Sequence, residues 1–292
     1  MQEGFQVREN ARIRVILDTD AACEADDQYA IVHALLTPKF QIRGIIAEQF
    51  FYCGGEASVE ESFQEIRKLL ELTGKTEVPV YRGLKKPLAV EEGIGCEAVD
   101  FLIEEALREG EPPLYVLCQG AITNVAAALS ARPEIAGRFT CIWIGGGAYP
   151  EGGWEFNLTN DHRAANIVFG SRLELWQVPM DGYGRMQVGY AELLRKVAPC
   201  GRIGEYLFRQ LQELGMKVDW TPGESWALGD SPAVGLAMNP NCGRYEVRKA
   251  PLCDRDGNYV GETDREIRVY HEPDSRFILE DFFAKLWLSQ QG

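Results

Sequence analysis

Five carboxylic acids crowd residues 18 to 27: Asp18, Asp20, Glu24, Asp26 and Asp27. An apolar β-type run over 13–17 leads straight into them, and a helical pattern resumes at Tyr29. At a strand end, the period-2 spacing of Asp18 and Asp20 places both on one face. Asp26 and Asp27 fall in the first turn of the next helix, where the macrodipole and unpaired amides favour anions. Neighbours in a helix point about 100° apart, so one of the two can hold a metal while the other holds a substrate. Two anions about 4 Å apart repel by roughly 4 kcal/mol at an effective dielectric near 20, so the cluster must take up protons or gather a cation. Oxygen ligands without His or Cys point to calcium or magnesium. The plainer alternative is a helix cap with solvated acids around it.

These residues need a scaffold, and the pattern supplies one. A helix over 28–36 stops at Pro38 and a second strand spans 41–47. Glu48, Gln49, Phe50, Phe51 and Tyr52 come directly after its carboxyl end, the polar members able to line a pocket and the aromatics to floor it. An amphipathic helix over 62–72, a short strand over 78–81 and a helix over 97–107 come next. An apolar strand at 114–118 enters QGAITN and a helix through Leu129, a recurrent ligand-facing joint in parallel sheets. A strand over 140–144 repeats the device and ends in Gly145, Gly146 and Gly147, which read as a bend into a pocket loop bearing Trp154, Glu155 and Asn157. A helix near Asp161, a strand over 174–178 and helices over 190–197 and 203–214 lead to Asp230. That residue stands just ahead of Pro232 at the start of a helix reaching Met238. Antiparallel strands over 244–271, turning at Asp256-Gly257, and a helix over 277–289 close the chain. Strands alternating with helices predict an α/β fold with an open, mostly parallel, Rossmann-like central sheet flanked by helices.

The chain has 292 residues, 46% hydrophobic and 25% charged, which suits a single domain over 1–292. A net charge of −14, with no basic run, argues against a nucleic-acid partner. Eight cysteines without a CxxC pair read as reduced, mostly buried thiols. The N-terminal stretch lacks an apolar signal core and no long apolar run could span a membrane, so a cytoplasmic protein with no membrane partner is expected.

In open parallel sheets, ligands bind beyond the carboxyl ends of the strands, where Asp20, Asp27, Gln49, Thr123, Glu155 and Asp230 would converge. The motifs DTD with Asp26-Asp27, GAITN at 120–124, GGG at 145–147, EFN at 155–157 and the late Asp230 occur in this order over residues 13–238. In this they resemble the inosine-uridine nucleoside hydrolase family. The resemblance implies a nucleoside hydrolase-type fold and calcium-dependent hydrolysis of the bond between ribose and a nucleobase. By the same resemblance Asp20 is the general base and touches the metal. Asp27, the main-chain carbonyl of Thr123 and Asp230 are the other metal ligands, and Asp26, Glu155 and Asn157 bind ribose hydroxyls. A small nucleoside-like substrate and a homo-oligomer are implied in the same way.

Departures from the family pattern are equally specific. The opening motif is two residues longer, with Cys23, Glu24 and Ala25 in place of a shorter Gly turn, and Glu24 is expected to face water. The family's Asn at the second strand's end is absent, and Gly229 stands where many purine-accepting relatives have the His that protonates the departing base. Of the three histidines, His33 reads as structural, while His162 and His271 stay open as proton donors. Trp154 and Trp226 could stack on a base, with core packing the expected role of each. Two other readings remain: a non-catalytic metal- and ribose-binding relative, and a phosphoryl-transfer enzyme using Asp18 and Asp20.

Overall fold

The computed structural model describes residues 5–88 and 95–291. Its strands are β1 Ile13–Thr19, β2 Phe40–Ala47, β3 Val80–Arg82, β4 Leu114–Cys118, β5 Phe139–Ile144, β6 Glu174–Val178, β7 Gln187–Gly189, β8 Ser225–Ala227, β9 Gly243–Cys253 and β10 Tyr259–Pro273. The helices are α1 Asp27–Leu35, α2 Phe51–Gly54, α3 Ser58–Thr73, α4 Glu97–Leu107, α5 Thr123–Ala131, α6 Phe156–Asn160, α7 His162–Gly170, α8 Met180–Tyr183, α9 Tyr190–Lys196, α10 Gly201–Gly215, α11 Ser231–Met238 and α12 Ser275–Ser289.

Eight strands form one open sheet in the order β3-β2-β1-β4-β5-β6-β10-β9, and β7 pairs with β8 separately. All neighbours in the large sheet run parallel except β9, which is antiparallel to β10. β1 lies between β2 and β4, and every one of its residues is buried. This is why it reads as an unbroken apolar run: a strand covered on both faces has no solvent side to mark with polar residues. Val15 and Leu17 join one core with Tyr29 and Phe282, while Ile16 joins a second with Val116 and Trp143, so each face of the sheet has its own apolar layer.

From β1 the chain builds outward through β2 to β3, then returns to β4 on the other side and continues through β5 to β6. The reversal between β1 and β4 is a topological switch point, where loops leaving adjacent strand ends diverge and open a crevice. At the opposite end of β1, buried Arg14 is held by Glu105, which also meets Arg43 and Arg108. Among the described residues no helix is long and apolar enough to cross a membrane. All eight cysteines are unpaired, and five of them are buried.

Several elements differ from the sequence expectation. The stretch after Phe50 is the short helix α2, and α3 starts at Ser58 rather than 62. Two helices, α6 and α7, meet at Asp161, whose side chain caps the second by accepting from the Ala164 N–H at 3.0 Å. The pair β7 and β8, three residues each, carries too little pattern to be seen in advance.

Candidate active site

Asp20, Asp26, Asp27, Glu155, Asn157 and Asp230 line one cavity of about 60 Å³ at the carboxyl ends of β1, β4 and β5. They arrive from several separate segments. Asp20 lies just past β1, Asp26 and Asp27 open α1, Glu155 caps α6, and Asp230 precedes α11. Glu24 lines the same cavity, correcting the expectation that it faces water.

Glu155 is held by four donors. One oxygen accepts from the N–H groups of Gly146 and Leu158 at 2.7 and 2.9 Å, the other from the Asn157 N–H at 3.2 Å and the Tyr183 hydroxyl at 3.0 Å. Gly146 reaches it with φ of 92°, and a Cβ there would fall 2.3 Å from Nε2 of Gln177. That is the reason for glycine at the end of β5. The Asn157 amide nitrogen is directed at the carbonyls of Ile144 and Gln119, at 2.9 and 3.4 Å, leaving its Oδ1 for another donor. A Cβ at Gly229 would meet the Tyr183 ring at 3.0 Å and an Asp26 oxygen at 3.2 Å, so the Tyr183 ring fills the space a side chain at 229 would need.

Thr123 is not among the residues that line the cavity. Its N–H donates to Glu48 at 2.8 Å and its hydroxyl to Asp161 at 3.0 Å, while Gln49 donates to that hydroxyl at 3.0 Å. Ile122, just ahead of Thr123, takes a left-handed conformation with φ of 62°. Gln49 is likewise not among the residues that line the cavity. Asp18 accepts from Asn124 at 2.9 Å and groups with Glu48 and Cys118 in a second buried cluster. Gln119, the first residue past β4, lines the cavity and has a buried Oε1 without a partner. The rule that ligands gather at the first residue past a parallel strand would have found it.

None of the three histidines lines the cavity. His33 is buried against Asp281 at 2.7 Å, as a structural residue should be, and His271 faces Asp181 at 3.2 Å. Trp226 is buried against Trp220, but Trp154 is 67% exposed and so is not a core residue. Phe51 and Tyr52 sit outside the cavity rather than flooring it.

Burial dominates the electrostatics. It raises Asp27 to about 8, with the Asp26 charge adding to it and Thr19 opposing it. Asp26 rises only to about 6, because main-chain N–H groups at Gly229, Asp230 and Asp27 favour its anion. Glu24 rises to about 8 through burial and then the charges of Asp26 and Asp27. Asp20 and Asp230 are pushed well above the usual range by burial and then by Asp27. Carboxylates so raised are ones the protein alone does not neutralise.

A divalent cation fits this donor set. Oxygens of Asp26, Asp27 and Asp230 lie within 4.8 Å of one another, matching the spread of ligands placed about 2.3–2.6 Å from a hard cation. Asp20 adds a buried Oδ2 with no hydrogen-bond partner beside them. The closest trio thus contains Asp26 where the resemblance put Asp20.

A carboxylate-lined cavity without basic side chains, at the switch point of an open parallel sheet, defines the class: a doubly wound α/β protein that takes a small polar ligand in an acidic pocket. The sequence profile of the inosine-uridine preferring nucleoside hydrolases matches residues 15–277, and the chain belongs to that family. The pyrimidine-specific ribonucleoside hydrolase RihA of Escherichia coli O1:K1 is 30% identical over 274 residues, covering 85% of this chain and 83% of that one. A purine-preferring ribonucleoside hydrolase from Gardnerella vaginalis superposes with a TM-score of 0.80 at 21% identity, over 95% of this chain and 99% of that one. An inosine-uridine preferring nucleoside hydrolase from Bacillus anthracis gives 0.74 at 16% identity, over 94% and 99%. The chain is accordingly an N-glycosyl hydrolase of nucleosides.

Proposed function

We propose that the protein hydrolyses the N-glycosidic bond of a ribonucleoside or related N-riboside in a calcium-dependent reaction. The observation that carries this is the convergence of Asp26, Asp27 and Asp230 oxygens within 4.8 Å, with the unpartnered Asp20 oxygen beside them. Asp20, Asp27 and Asp230 would hold the cation, with the main-chain carbonyl of Gln119 in the place expected for Thr123. Bound calcium would fix a sugar diol and a water side by side and lower the cost of deprotonating that water.

This chain's own groups supply the rest. Asp20 takes the proton of the attacking water. Asp26 and Glu155 meet ribose hydroxyls, and with Asp20 they place negative charge around a sugar ring that becomes oxocarbenium-like as the bond breaks. Asn157 Oδ1 accepts from a further hydroxyl. Because Glu155 is fixed by four donors, its geometry is set before substrate arrives, which lowers the ordering cost of the reactive complex.

The test is a panel of uridine, cytidine, inosine and adenosine assayed for ribose release, since one relative is named for pyrimidine and one for purine substrates. Release with calcium, lost on chelation and in Asp20→Asn, is expected. No ribose from any of them or from simpler ribosides with calcium-loaded protein would end this reading.

A further inference from the structure

Only part of the support under Glu155 is local. Two of its four donors, the N–H groups of Asn157 and Leu158, belong to α6 and move with it. The other two come from elsewhere in the chain: the Gly146 N–H at 2.7 Å and the Tyr183 hydroxyl at 3.0 Å. The shortest of the four bonds therefore depends on how the bend at 145–147 is held. Glycine has more backbone freedom than any other residue, so three in a row keep one geometry only where neighbours impose it.

Main-chain bonds supply part of that hold, from the Gly145 N–H to Val178 at 3.1 Å and from the Met180 N–H to Gly146 at 2.9 Å. Two side chains from other strands supply the rest. Gln177, fully buried in β6, donates through Nε2 to the Gly145 carbonyl at 2.9 Å and accepts the Tyr149 hydroxyl through Oε1 at 2.7 Å. Tyr259, the first residue of β10, donates to the Gly147 carbonyl at 3.0 Å and accepts from Gln177 at 3.2 Å. The carbonyls on either side of Gly146 are thus each bonded to one of the pair. Gln177 Nε2 and the Tyr259 hydroxyl also occupy the space of a Cβ on Gly146, at 2.3 and 2.6 Å from it. The turn between β9 and β10 secures the far end of the same loop: the Gly153 N–H donates to Gly257 at 3.0 Å and the Tyr259 N–H to Glu151 at 2.9 Å. A buried amide is costly unless its polar atoms are bonded, a demand that an apolar side chain at 177 would not make. What the amide adds is the hold on the bend.

Resting on the hydrolase reading, we propose that Gln177 and Tyr259, neither of which lines the cavity, are positioning residues for the hydrolysis, acting on Glu155 through the Gly146 N–H. They set the carboxylate against the end of β5 before a ribose hydroxyl reaches it. Without them Glu155 stays bonded to its own helix and to Tyr183 but shifts relative to the strand, and a misplacement of about 1 Å costs on the order of 10²-fold in rate.

The experiment is a double-mutant cycle on the calcium-loaded enzyme, pairing Gln177→Leu, and separately Tyr259→Phe, with Glu155→Ala. It is read as kcat/KM for the best riboside of the panel, and as the Kd of ribose by calorimetry for variants too slow to assay. Gln177→Leu should lower kcat/KM by about 10–10²-fold and Tyr259→Phe by about tenfold. In the Glu155→Ala background each should change it by less than about twofold, because the group they position is gone. Tyr259→Phe keeps its ring, so it carries the cycle where Gln177→Leu fails to fold. Losses that multiply in the double variants would overturn the proposal, as would single variants with a lowered Tm and unchanged kcat/KM. No ribose release by the unaltered enzyme would instead overturn the hydrolase reading, and the cycle on ribose binding would still decide the positioning role.

Discussion

Metal-free protein should lose stability as the pH rises from 6 to 8. In the unfolded chain Asp27 ionises near its ordinary 3.8, but in the fold burial holds its proton to about 8. Between those values the folded state binds one proton more than the unfolded state. The contribution is therefore fully present below about pH 4 and drains away as pH climbs through 8. Each pH step in that window removes about 1.4 kcal/mol, so the rise from 6 to 8 removes about 2–3 kcal/mol through Asp27 alone. Asp20 and Asp230, raised in the same direction, add to the slope. For a chain of this size that is a fall in Tm of about 5 °C, at about 2 °C per kcal/mol. Calcium at about a hundred times its Kd should return about 2.7 kcal/mol, and should do so far more at pH 8 than at pH 6, because the cation binds the ionised cluster. Differential scanning fluorimetry across this pH range, with chelator and with calcium, measures both effects. Asp27→Asn should flatten the metal-free slope. A metal-free Tm that is level or rises from pH 6 to 8 would refute the electrostatic reasoning.

Single contacts set the remaining expectations. Asp230→Asn should lower kcat/KM for the best riboside by at least about 10²-fold and weaken calcium binding measured by calorimetry; unchanged values would remove Asp230 from the site. Tyr183→Phe keeps the ring against Gly229 but loses the bond to Glu155, so KM should rise by about tenfold in steady-state assays with the fold intact by circular dichroism. Gly229→Val forces a side chain into the Tyr183 ring and should cost about 1–3 kcal/mol in chemical denaturation. Glu105→Ala leaves the buried Arg14 guanidinium without its carboxylate and should cost about 3–5 kcal/mol in the same experiment, with little effect on kcat.

The acidic opening and the parallel sheet were legible in the sequence because local rules decide them. A doubly covered strand must be apolar, and the residues just past its carboxyl end face the crevice, so β1, β4, β5 and their exits could be placed from pattern alone. Glu155 and Asn157 were found through a three-residue motif, and both line the cavity. The features that escaped depend on contacts remote in sequence. Thr123 and Gln119 are four residues apart, yet Gln119 lines the cavity while the Thr123 N–H is turned to Glu48, with a left-handed residue, Ile122, between them. Glu24 lines the cavity from an irregular turn, an outcome no periodicity encodes. The parallel seat of β10 beside β6, and the Tyr183 ring in the space beside Gly229, join segments far apart in the chain. Pattern within a segment carries no information about such partners.

The most direct measurement is a crystal structure of the protein with calcium and ribose. A cation bonded to carboxylate oxygens of Asp27 and Asp230, with the sugar diol reaching it and Asp20 beside a water near C1′, is the expected result. A cation lodged instead among Asp18, Glu48 and Cys118, or ribose bound away from Glu155 and Asn157, would contradict it.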